Sequence, residues 1–157
     1  MLRIFVDQTD AWELLRRAVK QTWGLDELPA VTRLPNGKPV FEGHPDLHFN
    51  LSHSGDMALC ALSDRPVGAE IEVIRPHRDG LPAYVFKGEE YGRYLDLGGD
   101  WPAFCVLWTE KESIVKYTGE GLKQLKTAQV PSGCVMTHLS GDGWRAAVCG
   151  HERGEKE

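Results

Sequence analysis

Two glutamates stand two residues apart in VGAEIEVI, residues 67–74, a stretch whose apolar and β-branched residues predict a strand. Because side chains alternate between the faces of a strand, Glu70 and Glu72 share one face and the apolar residues between them the other. Neighbouring carboxylates repel unless a cation lies between them, and a hard divalent ion such as Mg²⁺ suits this oxygen pair. The simpler interpretation, which this stretch alone favours, is the solvated face of an edge strand.

A third glutamate lies in WTEKESIVKYTGEGL, residues 108–122. There Glu112 and Lys116 are four residues apart, so they share one face of a predicted helix. Taken alone, they form an ordinary surface ion pair. In a functional interpretation, Glu112 is a metal ligand or a general base, and Lys116 is a cation that faces an anionic substrate.

The stretch LSHSGD, residues 51–56, places donors at the end of a predicted strand. Ser52, His53 and Ser54 offer three donors to a phosphate oxygen, although the same residues suit a simple hairpin turn. A serine–histidine nucleophile is disfavoured, because neighbouring strand residues point to opposite faces and the chain has no GxSxG elbow. Together, anion donors, a carboxylate pair, a helix glutamate and a lysine indicate a magnesium-assisted phosphate transfer.

The bulk composition bounds the class of protein. The chain has 157 residues, is 41% hydrophobic and 26% charged, and carries a net charge of −5, which indicates one globular domain. The acidic pI of about 5.7 argues against a general nucleic-acid binder, which needs a basic surface. No apolar run approaches the roughly 20 residues of a membrane span, and no signal peptide is recognisable, so we expect a cytoplasmic protein without a membrane partner.

Cysteine and histidine spacing does not favour a zinc site. The four cysteines form no CxxC pair and are interpreted as free thiols, most of them buried. His44 and His48 are four residues apart, but Pro45 between them makes a helical metal pair doubtful, and both are interpreted as loop histidines.

Apolar periodicity predicts the elements that must position these residues. Helices are predicted over residues 10–23, 88–97 and 101–117. An antiparallel meander of three strands is predicted over residues 47–54, 57–63 and 67–74, followed by short strands over residues 125–148. The proline-rich and glycine-rich residues 29–46 are predicted to be a loop.

The ordered set FNLSHSG, VGAEIE and WTEKESIVKYTGEGL resembles the signatures of the 4′-phosphopantetheinyl transferases, most closely the surfactin-synthetase-activating type. NGKP, residues 36–39, is similar to the family's GKP segment, and the match covers residues 33–125. The resemblance implies an α+β fold with a small antiparallel sheet packed against a long helix. It implies a single domain over residues 1–150, with a reduced N-terminal lobe (1–45), a main lobe (46–150) and a flexible tail (151–157).

The resemblance also implies an activity. Such an enzyme transfers the phosphopantetheine arm of coenzyme A to a serine of an acyl, peptidyl or polyketide carrier protein and releases adenosine 3′,5′-bisphosphate. By position, Glu70, Glu72 and Glu112 would hold Mg²⁺. Glu112 would also deprotonate the attacking serine.

The remaining site residues would bind the coenzyme. His53 and Lys116 would contact the pyrophosphate and ease the charge on the leaving group, which makes both catalytic. Ser52 would be a further phosphate ligand. Arg33 and Lys38 would contact the nucleotide end.

Two departures from the family pattern leave alternatives open. The first metal acid of the family is normally Asp, whereas here it is Glu70, whose carboxylate lies roughly one C–C bond, about 1.5 Å, farther out. The N-terminal lobe is short, so a second subunit supplies the missing wall or the pocket is more open. The alternatives are a degenerate relative that binds coenzyme A or a carrier protein without catalysis, and an unrelated α+β domain with solvated acids. The oligomeric state stays open.

Overall fold

The computed structural model of the chain describes residues 1–152. Its strands are β1 (Leu2–Gln8), β2 (Val31–Arg33), β3 (Pro39–Phe41), β4 (His48–Ser54), β5 (Met57–Ser63), β6 (Val67–Val73), β7 (Cys134–Gly141) and β8 (Trp144–His151). Its α-helices are α1 (Ala11–Trp23), α2 (Leu81–Val85), α3 (Glu89–Asp96) and α4 (Trp101–Thr118), and a 3₁₀ helix spans Leu122–Thr127.

The strands form two antiparallel sheets of three strands each and one small hairpin. The first sheet has the order β1-β5-β4, the second has the order β6-β8-β7, and β2 pairs with β3. In the first sheet Cys60 of β5 lies between Phe5 of β1 and Leu51 of β4. In the second, Glu70 of β6 lies opposite Ala147 of β8. Small antiparallel sheets with packed helices confirm the predicted α+β fold.

The two long helices begin and end where local chemistry requires. The Asp10 carboxylate accepts hydrogen bonds from the first backbone amides of α1, and the Asp100 carboxylate does the same for α4. Gly24 and Gly119 follow the helices in the left-handed conformation, with φ of 70° and 72°, which glycine adopts without strain. The predicted helices over residues 10–23 and 101–117 are therefore confirmed.

Three hydrophobic clusters hold these layers together. The first packs α1 onto one face of the first sheet and includes Leu15, Phe49 and Cys60. The second fills the space between the two sheets, and the third joins α4 to the segment around Phe86. Burying such residues stabilises each by about 1.5–3 kcal/mol, which fixes the two sheets and α4 relative to one another.

Close backbone packing fixes β6 against α4. Gly68 lies so near the helix that a Cβ there would overlap the Ser113 carbonyl oxygen and the Tyr117 amide nitrogen. No larger side chain fits between these elements. The strand with the paired glutamates is therefore pressed against the helix that carries Glu112 and Lys116.

The structure corrects three of the sequence predictions. Residues 29–46 are not only loop, because β2 and β3 form a hairpin there, and His48 begins β4 whereas His44 lies in the turn before it. The three-strand meander is wrong for β6, which belongs to the second sheet. The physical reason is β1, a strand that periodicity did not reveal: it occupies the edge of β5 that β6 would need.

The remaining elements agree in part with expectation. The predicted helix over 88–97 is α3, whereas α2 was not predicted. His151, the first residue of the predicted tail, ends β8, and residues 153–157 lie outside the described range. In the part of the chain that the structure covers, every helix is too short or too polar to span a bilayer.

Candidate active site

Side chains of β4, rather than the backbone of another strand, hold the outer edge of β6. The acceptors are Asn50 Oδ1 for the amide of Ala69, Ser52 Oγ for that of Ile71 and Ser54 Oγ for that of Val73, at 2.8, 3.0 and 3.0 Å. We call these three side chains the β4 ladder. Because both strands alternate with a period of two, every second residue of β4 meets every second amide of β6.

Two members of the β4 ladder also contact the paired glutamates. Ser52 Oγ donates to Glu70 Oε1 at 2.8 Å, and Ser54 Oγ donates to Glu72 Oε2 at 3.2 Å. Glu70 is only 6% exposed, so the interpretation of this face as solvated is wrong for Glu70. A buried carboxylate needs charged or donating partners, and Ser52 supplies the first of these.

Lys116 supplies the second partner of Glu70. Its Nζ lies 2.6 Å from Glu70 Oε2 and also donates to the Leu51 carbonyl at 3.3 Å. The helix spacing had suggested a surface pair with Glu112, but the ammonium turns to the strand instead. Since the lysine side chain is 32% exposed and the glutamate side chain 7%, the pair lies at the floor of a surface cleft.

Glu112 lies in the same carboxylate cluster. Burial raises its pKa to about 8, and the negative charge of the neighbouring Glu70 acts in the same direction. Burial and the charge of Glu70 also raise the pKa of Glu72. The three predicted metal acids are thus brought together, at the cost of mutual repulsion that Lys116 only partly relieves.

The donors in this cluster fit a hard divalent cation. Glu70 Oε2 is buried and receives no hydrogen bond of good geometry, so its contact with Lys116 is one of charge rather than a directed bond. Carboxylate oxygens are ligands that Mg²⁺ takes in proteins, usually together with substrate phosphates and water. Among residues 1–152, however, no three acidic, histidine or cysteine side chains are already arranged around one point as a metal site. The chemistry fits, and the carboxylates would have to converge further.

A cavity of about 350 Å³ opens beside Lys116. Four of the five predicted coenzyme-binding residues line it: Arg33, Lys38, His53 and Lys116. The fifth, Ser52, is 4% exposed and is not part of the lining. The hairpin β2–β3, the end of β4 and the end of α4 therefore bring distant basic residues to one cavity.

The Lys38 ammonium is already hydrogen-bonded within the protein. Its Nζ donates to the carbonyls of Val67, Lys116 and Tyr117 at 3.1, 3.0 and 3.4 Å. Burial lowers its pKa, because the charged form loses hydration. Arg33 is freer: its guanidinium donates to the Gly37 carbonyl at 2.8 Å within the hairpin turn. The two predicted nucleotide contacts thus differ in how many bonds within the protein they would have to give up to reach a ligand.

A second cavity has a volume of about 270 Å³. Glu72 and Glu112 line it together with Arg75 and His77. The sequence reasoning did not single out these last two residues, although IRPHR directly follows the glutamate strand. Glu70 is a neighbour of residues in both cavities, since it pairs with Lys116 of the first and its charge raises the pKa of Glu112 of the second.

Comparison with known proteins decides the family. Residues 66–153 match the 4′-phosphopantetheinyl transferase superfamily, and that segment is more than half of the chain. The chain belongs to the 4′-phosphopantetheinyl transferase superfamily. Of the residues discussed above, Glu70, Glu72, Glu112 and Lys116 fall inside the matched segment, whereas Arg33, Lys38, Ser52 and His53 precede it.

Individual relatives agree with this assignment. The chain is 34% identical over 112 residues to the 4′-phosphopantetheinyl transferase Sfp of Bacillus subtilis (strain 168), which covers 69% of this chain and 50% of that protein. It is 36% identical over 133 residues to the transferase AcpT of Salmonella typhimurium, covering 80% and 69%. It is 42% identical over 89 residues to the transferase psf-1 of Bacillus pumilus, covering 55% and 38%. The chain thus spans about half the length, or less, of the Bacillus relatives that it matches.

Free thiols are a further point on which prediction and structure agree. Cys60, Cys105 and Cys149 are buried, Cys134 is half-buried, and all four are unpaired in the described residues. Burial raises the pKa of Cys60 to about 12, so this thiol stays neutral and packs as an apolar group.

Proposed function

We propose that this protein transfers the 4′-phosphopantetheine arm of coenzyme A to a serine of an apo acyl, peptidyl or polyketide carrier protein. The observation that carries the proposal is the position of Glu70. It pairs with Lys116, which lines the basic cavity, and its charge acts on Glu72 and Glu112, which line the second cavity. A substrate pyrophosphate and an attacking hydroxyl can thus approach the same carboxylate cluster from two sides.

The proposed chemistry is an in-line displacement at phosphorus. The serine oxygen of the carrier protein forms a bond to the phosphorus that bears the pantetheine arm. The phosphoanhydride bond breaks, and adenosine 3′,5′-bisphosphate leaves. Glu112 takes the serine proton, directly or through water. The raised pKa of Glu112, about 8, makes it a stronger base once it is ionised.

Glu70, Glu72 and Glu112 would hold Mg²⁺. An ion held there would supply positive charge that offsets the negative charge developing on the pyrophosphate during transfer. The fit rests on the oxygen donors of the cluster and on the buried Glu70 Oε2 without a hydrogen bond. Ser52 and Lys116 hold Glu70 in place from two directions.

The basic cavity is proposed to take the coenzyme. His53 is exposed at the end of β4 and Lys116 lines the cavity floor, so both can contact pyrophosphate oxygens. Arg33 and Lys38 are proposed to lie toward the nucleotide end. The volume of about 350 Å³ accommodates part of such a ligand, and the rest would lie along the open surface. Four free cysteines are in keeping with a cytoplasmic setting.

Intact-mass spectrometry of a carrier protein tests the proposal. Apo acyl, peptidyl and polyketide carrier proteins are incubated with this protein, coenzyme A and Mg²⁺, and compared with a reaction that contains EDTA. We expect a phosphopantetheine adduct that requires the metal and is lost in Glu112→Gln. The matched control is Glu110→Gln, which alters a carboxylate on the same helix that faces Arg93 and His138 instead.

Each outcome has a distinct meaning. If the adduct still forms with Glu112→Gln, the proposed catalytic role of Glu112 is wrong, but the transferase activity stands. If no carrier class gains an adduct while coenzyme A still binds, the protein is a coenzyme-binding relative without transferase activity. Absence of both would refute the proposed function.

A further inference from the structure

The outer edge of β6 is hydrogen-bonded by side chains and not by the backbone of a neighbouring strand. β4 and β6 belong to different sheets, and they meet through side chains of β4 that reach the amides of Ala69, Ile71 and Val73. The pairing runs in one direction along both strands, with residues 50, 52 and 54 opposite residues 69, 71 and 73. Polar side chains at every second position of β4 therefore replace the backbone–backbone hydrogen bonds that would otherwise join two neighbouring strands.

The two serines of the β4 ladder differ from Asn50 in one respect. A backbone N–H can only donate, so the Ser52 oxygen must accept from Ile71, and its own proton remains free to bond elsewhere. That proton goes to Glu70 Oε1 at 2.8 Å. The amide thus fixes the direction of the serine–glutamate bond, with the serine as donor. Asn50 accepts a hydrogen bond from its amide but makes none to either glutamate in the described structure.

We propose that Ser52 and Ser54 are positioning residues that aim the Glu70 and Glu72 carboxylates, and that Ser52 is not a phosphate ligand. The proposal rests on the proposed function for the role of these acids as metal ligands. Ser52 is 4% exposed and lies outside the basic cavity, whereas a phosphate ligand needs a hydroxyl that faces the substrate. Its hydroxyl makes both of its contacts within the protein.

The arrangement also accounts for Glu at position 70. A longer acid has one more rotatable bond than Asp, so it needs a partner that selects one rotamer. Ser52 bonds one carboxylate oxygen, and Lys116 contacts the other. With both oxygens engaged, the added length is held in a single conformation.

Manganese binding by the full chain tests the proposal. Free Mn²⁺ is measured by electron paramagnetic resonance in the presence of coenzyme A, for the wild-type protein and for Ser52→Ala, Ser54→Ala and Asn50→Ala. We expect Ser52→Ala to weaken Mn²⁺ binding by about tenfold or more, as is typical when a partner of a metal ligand is removed. Asn50→Ala loses a bond to β6 but none to a carboxylate. Because Asn50 also lines the basic cavity, Mn²⁺ binding is compared without coenzyme A as well, and there its effect should be clearly smaller than that of Ser52→Ala. Ser52→Thr, which keeps the hydroxyl, should restore binding.

Coenzyme A binding in EDTA, measured by calorimetry, separates the two roles of Ser52. A positioning residue leaves this metal-free affinity within experimental error of wild type, whereas loss of a phosphate ligand lowers it. The proposal is overturned if Ser52→Ala weakens coenzyme binding in EDTA, or if Asn50→Ala and Ser52→Ala lose equal Mn²⁺ affinity.

The acid variants separate failure of this inference from failure of the proposed function. If Glu70→Ala and Glu112→Ala weaken Mn²⁺ binding while Ser52→Ala does not, only the positioning role is wrong. If neither acid variant changes Mn²⁺ binding, the proposed metal site is wrong and the positioning role falls with it. Should Ser52→Ala fail to fold, Ser54→Ala gives the same comparison, because Ser54 is only half-buried and bonds Glu72.

Discussion

Lys116 Nζ lies 2.6 Å from Glu70 Oε2, so a helix cation and a strand carboxylate form a largely buried ion pair at the floor of the site. The pair links α4 to β6 through side chains. It adds to the close backbone contact between the same two elements at Gly68. In the proposed reaction, Lys116 both holds Glu70 and faces the pyrophosphate. Its removal should therefore affect stability and transfer together.

Lys116→Met should lower the free energy of unfolding by about 2 kcal/mol, because the Glu70 charge remains buried without its partner. Transfer should fall as well. Chemical denaturation measures the first effect. Lys20→Met is the control, since its pair with Asp26 is exposed and should contribute less than about 0.5 kcal/mol. Equal losses in the two variants would contradict the importance of the buried pair.

Glu70→Asp should lower the transfer rate by about tenfold. The shorter side chain cannot keep both the Ser52 hydrogen bond and the Lys116 contact, and losing one such bond costs roughly 1.4 kcal/mol. Steady-state kinetics with an apo carrier protein measure this. Glu90→Asp shortens an acid that pairs with Lys111 outside the site and should leave the rate unchanged. A faster Glu70→Asp enzyme would instead mean that the glutamate is a defect.

Gly68→Ala should destabilise the protein by about 3 kcal/mol or more, because its methyl group would overlap the backbone of α4. Gly92→Ala is the matched control. Gly92 lies in α3 with no heavy atom near the site of an added Cβ, so the alanine should stabilise by about 0.5–1 kcal/mol. Thermal unfolding of both variants measures the difference, and a tolerated Gly68→Ala would show that β6 and α4 are not in backbone contact.

The protein should lose stability at alkaline pH through its buried thiols. Burial raises the pKa of Cys60 from 9.0 to about 12, so the unfolded thiol ionises first. Stability is fully present below pH 9 and falls as pH rises from 9 toward 12, by at most about 1.4 kcal/mol per pH unit for this group. In urea denaturation with reductant, the gap between wild type and Cys60→Ala should narrow from pH 8 to 10.5. A constant gap would contradict the neutral buried thiol.

Local patterns were sufficient to predict the elements of the site but not their partners. Helical periodicity predicted α1 and α4, and strand alternation correctly placed Glu70 and Glu72 on the face opposite the apolar residues. Both signals are short-range, and they were read from single elements. The family signatures then predicted which elements meet.

What periodicity could not predict depends on contacts between distant segments. β1 pairs with β5 more than 50 residues later, and its sequence shows no clean alternation, so the neighbours of β6 were mispredicted. Lys116 turns to Glu70 rather than Glu112 because the fold, and not the helix spacing, sets the nearest buried charge. The second bond of each ladder serine is also invisible in sequence, since a serine at a strand end looks like turn chemistry.

The hydrogen bonds of Lys38 should couple the opening motions of three segments of the chain. Its ammonium joins the β2–β3 hairpin to carbonyls of β6 and α4, and these bonds are partly buried. Opening the hairpin would leave those carbonyls without a donor, so the three segments should open as one cooperative unit. In native-state hydrogen exchange, the paired hairpin amides should share the protection of the end of α4 instead of exchanging freely like a surface loop. A ligand seated on the hairpin would thereby slow exchange in the helix that carries Glu112.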